Sequence, residues 1–74
     1  MSKLPRKLSG KDLIKIFQKL GFVVVRQRAS HAFLQHKDGR RLTIPVYDQV
    51  PVNLLNWILA EAKISREEFL KMLE

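Results

Sequence analysis

Seventy-four residues, 46% hydrophobic and 28% charged, are enough for one folded unit and too few for a second core. Cysteine is absent, which excludes a disulfide framework and a thiolate metal centre, so apolar packing alone must hold the fold. Fourteen Lys and Arg against seven Asp and Glu give a formal charge of +7 and point to a polyanionic partner, nucleic acid first and an acidic protein second.

In chain order, residues 1–8 read as a basic tail, with Lys3, Arg6 and Lys7 around Pro5, and residues 9–74 as a single domain. Ser9 and Asp12 have capping-box spacing. Leu13, Ile16, Phe17 and Leu20 then share one helical face, and Gly21 is the stop signal. The opposite face carries Lys11, Lys15 and Lys19 in one stripe, either a solvated surface or a row of phosphate contacts. Residues 22–28, 32–36 and 41–44 read as three strands. The Asp38-Gly39 pair predicts a tight hairpin between the last two, so the sheet should be an antiparallel meander.

Residues 45–51 form a connector, and Pro51 suits the start of a second helix whose apolar arc is Leu54, Leu55, Ile58, Leu59 and Ala62, with Trp57 half covered at its margin. Ser65 and Glu68 repeat the capping-box spacing before a short last helix that brings Phe69, Met72 and Leu73 back over the core. The expected class is α+β: an α-β-β-β-α order with a short extra C-terminal helix, helices on one face of a three-stranded antiparallel sheet, as in the double-stranded-RNA-binding fold. No run approaches the ~20 apolar residues of a membrane span and none resembles a signal peptide, so a cytoplasmic location without membrane attachment is expected.

Two histidines supply the side chains that titrate near neutrality. His31 follows Ser30 and lies next in the chain to Arg26 and Arg28, which a hairpin brings together. RNA is cleaved without a metal when a base takes the 2′-hydroxyl proton, an acid protonates the leaving oxygen and cations stabilise the phosphorane. Histidine beside arginine supplies those groups, although a lone strand histidine serves equally as a surface or packing residue. His36, beside the Asp-Gly turn, reads as an exposed hairpin residue outside the chemistry. P-loop, dinucleotide and His-Glu-x-x-His patterns are lacking, and Asp12, Asp38 and Asp48 are scattered, so neither a metal nor another cofactor is expected.

The segments Val25-Arg26-Gln27-Arg28-Ala29-Ser30-His31, His36-Lys37-Asp38-Gly39-Arg40-Arg41 and Thr43-Ile44-Pro45, with the ending from Ala62 to Phe69, together resemble the HicA (YcfA-like) toxin family. The resemblance implies a double-stranded-RNA-binding-like fold, metal-independent endoribonuclease activity on messenger RNA, and neutralisation by a HicB-like antitoxin. It carries the family's catalytic histidine to His31, with Ser30 beside it. Lys11, Lys15, Lys19, Arg26, Arg28, Arg40 and Arg41 are then the candidate RNA-binding residues. The chain departs from the family where Ala29 replaces a glycine, Ala32 a frequent second histidine, and Tyr47 a histidine that often follows Pro-Val. A noncatalytic double-stranded-RNA-binding module is the alternative reading, since the same cations would serve shape recognition.

Overall fold

A computed structural model describes residues 8–73. The basic tail expected over residues 1–8 therefore lies outside the described residues except for Leu8, which is buried in the core and whose carbonyl accepts the Val50 N–H at 2.7 Å.

The first helix, α1 (Gly10–Lys19), begins where the sequence places it. The Ser9 hydroxyl accepts the Asp12 N–H at 3.1 Å, and the Asp12 carboxylate accepts the Ser9 N–H at 3.2 Å, so two otherwise unpaired donors are satisfied reciprocally. Gly10 allows the helix to start against the connector. A Cβ there would overlap the Pro45 carbonyl, and the Gly10 N–H donates to the Tyr47 carbonyl at 2.8 Å. Leu13, Ile16 and Phe17 face inward.

Three antiparallel strands follow, β1 (Phe22–Arg28), β2 (His31–His36) and β3 (Arg41–Pro45), in spatial order β1-β2-β3. Alternation along the pleat assigns Ala32, Leu34, Leu42 and Ile44 to the inner face, where all four are buried. Register joins Val24 to Leu34, but the next pair is Arg26 with Phe33, so Val25 is an extra residue in a β-bulge. The second strand starts at His31 and the third ends at Pro45, each one residue beyond the expected span.

The second helix, α2 (Val52–Ala62), has Pro51 at its N-cap with φ −60°, a value the ring pre-sets. It ends in a Schellman arrangement, with Ile64 N–H to Leu59 carbonyl at 3.0 Å and Lys63 N–H to Ala60 carbonyl at 3.2 Å, while Lys63 takes the left-handed conformation and Ile64 is buried. In the last helix, α3 (Arg66–Met72), the Ser65 hydroxyl accepts the Glu68 N–H at 3.1 Å.

The core between the helices and the sheet is built around Phe17, Phe22 and Phe69, with Phe17 meeting Phe22 edge-on at 5.5 Å and Phe69 at 6.3 Å. Full burial stabilises each such side chain by roughly 1.5–3 kcal/mol relative to exposure. Three expectations need correction. Leu20 is only half-buried at the end of α1, and Leu73 is exposed. Trp57 is 66% exposed rather than half covered, because it points away from the stripe formed by Leu55, Ile58, Leu59 and Ala62.

Candidate functional site

The sheet face away from the helices carries the chemistry-bearing side chains. Cross-strand register sets them in three rows: Val23, Gln35 and Arg41; Arg26, Phe33 and Thr43; Arg28, His31 and Pro45. Residues directly opposite in an antiparallel pair lie about 4.5–5.5 Å apart at Cα, so Arg28 is the immediate cross-strand neighbour of His31 and Arg26 stands one row away. A depression of about 510 Å³ crosses this face, bordered by Arg26, Arg28, Phe33, Arg41, Thr43 and Glu61.

His31 is exposed at the mouth of the β1–β2 turn. Its Nδ1 lies 3.4 Å from the Ser30 hydroxyl, at the long end of hydrogen-bond range, and the proton's position depends on the tautomer. The Ser30 carbonyl accepts the Val46 N–H at 2.7 Å, which ties the turn to the connector. Ala29, in that turn, has φ +47°. This is the left-handed region in which an L-residue is destabilised by roughly 1–2 kcal/mol and glycine is not. The backbone thus keeps a conformation suited to the glycine that the family resemblance places at this position. Tyr47 meets the His31 ring edge-on at 6.4 Å, and its position follows from the Gly10 contact that holds its carbonyl.

The seven candidate cations do not form one surface. Arg26, Arg28 and Arg41 share the open sheet face with His31. Lys11, Lys15 and Lys19 are exposed on the side of α1 opposite its buried stripe, so they point away from the sheet. Arg40 is turned inward. Its Nη1 donates to the Ala62 carbonyl at 2.6 Å, its Nε to Asp38 at 2.8 Å, and its guanidinium lies 5.1 Å from the Phe22 ring centroid. A cation at the last carbonyl of α2 also complements the helix dipole, so Arg40 leaves the candidate surface for a structural position.

His36 likewise departs from the exposed hairpin residue expected. Its side chain is 14% exposed, edge-on to Phe22 at 5.0 Å. It also covers Gly21, whose φ of +100° and lack of Cβ leave room for the ring. Its Nδ1 accepts the Asp38 N–H at 3.2 Å in the neutral ring and faces the Asp38 carboxylate at 3.1 Å when protonated. The Arg40 backbone N–H, then its guanidinium, then His36 hold the Asp38 carboxyl below the usual aspartate range. Ala32, where the resemblance places a frequent second histidine, is fully buried on the inner face.

Sequence reading passed over a second depression, of about 380 Å³, between the connector and α2, where His31 and Tyr47 face Leu54, Trp57 and Glu61. The signal available was the spacing of Leu54, Trp57 and Glu61, which places them along one flank of a helix. Among the described residues no three His, Asp or Glu side chains cluster as a metal site requires, and no helix is long and apolar enough to cross a membrane.

Fold and site define a small α-β-β-β-α domain with an open, cationic sheet face that bears a histidine. The chain belongs to the HicA toxin family: the model for the HicA toxin of bacterial toxin–antitoxin systems matches residues 10–64, from the first residue of α1 through Ile64. It is therefore a toxin that pairs with an antitoxin. Comparison with curated proteins finds no matching sequence.

Proposed function

We propose that this toxin is a cytoplasmic, metal-independent endoribonuclease acting on messenger RNA, with His31 as its acid–base group and a HicB-like protein as its antitoxin. The observation that supports it most is the row in which Arg28 stands directly across from His31, with the Ser30 hydroxyl at His31 Nδ1. When Nδ1–H donates to Ser30, Nε2 is left to accept the proton of an RNA 2′-hydroxyl. The 2′-oxygen then bonds to phosphorus, the P–O5′ bond breaks, and the same proton passes to the leaving 5′-oxygen. The products are a 2′,3′-cyclic phosphate and a 5′-hydroxyl. Arg28, with Arg26 beside it, stabilises the charge that grows on the phosphorane. Imidazole, hydroxyl and guanidinium cover the roles the reaction needs.

Arg41 extends the phosphate-binding face. Lys11, Lys15 and Lys19, on the far side, act by raising the local concentration of polyanion. The antitoxin covers His31 and meets Arg26, Arg28 and Arg41 with carboxylates, so a copurified complex lacks ribonuclease activity.

The test is cleavage of single-stranded RNA by the purified toxin and by His31→Ala, with and without chelator, followed by analysis of product ends. The expected result is chelator-resistant cleavage to cyclic phosphate ends, reduced about 100- to 10,000-fold in the variant. Equal cleavage by both proteins removes His31 from the mechanism. RNA binding without cleavage by the unmodified toxin overturns the enzyme reading in favour of a noncatalytic double-stranded-RNA-binding module.

A further inference from the structure

Three features remain outside the mechanism above: the exposed valines of β1, the inward cluster of His36, Asp38 and Arg40, and the cleft beside His31. The cleft carries the argument furthest. Two exposed rings line it, Tyr47 at 44% and Trp57 at 66% exposure, and Leu54 adds apolar surface. A tryptophan so far out of the core gains little from burial, and in its place on α2 it contributes nothing to the buried stripe. Aromatic surfaces on either side of a slot are what an unstacked base requires.

Charge sorts the two depressions. Arg26, Arg28 and Arg41 border the one on the sheet, where a phosphate is favoured. Glu61 borders both depressions, and no Lys or Arg lines the cleft, so an anion is disfavoured there while an N–H donor is welcome. The ring of an RNA base is the uncharged, donor-bearing part of the polymer. Among the bases, guanine presents two adjacent N–H groups on its Watson–Crick edge, which match the two oxygens of one carboxylate.

We propose that the cleft between Tyr47 and Trp57 binds one unpaired guanine, held by stacking on the two rings and by Glu61, next to the phosphate cleaved at His31. This rests on the RNA-cleaving reading of the open face and adds to it the substrate class: single-stranded RNA with a guanine at the cut. The base enters from a single strand because in a duplex both its faces and its Watson–Crick edge are already occupied.

Trp57 is the sole tryptophan, so its emission reports occupancy of the cleft without any cleavage. The probes are short 2′-O-methyl oligoribonucleotides, which lack the nucleophile: a uridine run with a central guanosine, a uridine run alone, and a self-complementary duplex. Binding of each is followed separately by anisotropy of an end label. The guanosine oligomer quenches Trp57 and binds more tightly than the uridine run, while the duplex binds without quenching. Trp57→Ala weakens the guanosine oligomer about 5- to 150-fold and leaves the duplex unchanged, whereas Trp57→Phe keeps most of the affinity. Glu61→Gln lowers the preference for guanosine over uridine about tenfold.

Binding by anisotropy with no quenching, or equal quenching by the duplex, overturns the cleft while leaving the RNA reading standing. Absence of binding to every oligomer overturns both. A cleft silent to RNA whose emission shifts on adding the antitoxin reassigns the slot to a protein side chain.

Discussion

Strand β2 begins with one histidine and ends with another, and their odd spacing directs the two rings to opposite faces of the sheet. His31 stands on the open face with Arg28 across from it and a strained turn before it. His36 lies under the helices' side of the sheet, closed in by Phe22, Gly21 and the Asp38–Arg40 pair. The adjacent residues Arg40 and Arg41 divide in the same way, one bonded to the end of α2 and one turned to solvent. Residue type decides little here. Parity along the pleat decides whether a cation or an imidazole meets the core or the solvent.

The sharpest way to break this contrast is to truncate each histidine in turn. His31→Ala loses about 100- to 10,000-fold in RNA cleavage with no change in melting temperature, while His36→Ala keeps cleavage within a few-fold and loses about 1–3 kcal/mol of stability. A cleavage assay beside a thermal melt separates them, and a His36 variant as inactive as the His31 variant ends the division of roles. The arginines give the next largest effect. Arg40→Ala is expected to lose about 1–2 kcal/mol, since it removes a charged donor from a helix-terminal carbonyl at a partly solvated site. Arg41→Ala leaves stability alone and lowers the slope of log affinity for single-stranded RNA against log salt by about 0.7.

Smaller effects test the two turns that lie at the ends of β2. Ala29→Gly relieves the left-handed conformation and raises stability by about 0.5–1 kcal/mol in urea titration, the greater flexibility of glycine offsetting part of the gain. At the other turn the effect is read through acid. Asp38 is held below its usual range by Arg40 and by His36, so its contribution is complete above an ordinary aspartate value of about 3.9 and disappears as the pH falls through the lowered one. Melting temperatures measured downward from about pH 5 decline less steeply in Asp38→Asn than in the unmodified chain, by a modest margin because the carboxylate is solvated.

Local signals made most of the fold legible. Capping residues, the Asp-Gly turn and apolar periodicity depend on neighbours within a few positions, and they located all three helices and all three strands. The inward turn of Arg40 was not legible because its partner, Ala62, lies far along the chain. The same holds for His36, whose room comes from Gly21 in the turn before β1, and for Leu8, which is buried in the core and whose carbonyl pairs with the distant Val50. For the candidate site, resemblance singled out Ser30 and His31. Which of the seven cations join them depends on register and on the packing of α1, neither of which a single sequence displays.

The bulge between Val24 and Arg26 behaves like a shift of reading frame within β1. Up to Val24 the strand alternates in phase with Phe22 facing inward, and in unbroken phase Arg26 and Arg28 would follow it toward the helices, with Val25 and Gln27 on the open face. One additional residue reverses the phase, and both guanidinium groups arrive beside Phe33 and His31 instead. Deleting Val25 would remove the bulge together with its odd residue and keep Arg26 opposite Phe33 and Arg28 opposite His31, whereas pairing Val25 regularly in the ladder would turn both cations to the other side of the sheet. The electrostatic character of the open face thus depends on a backbone irregularity at a residue whose own side chain carries no charge.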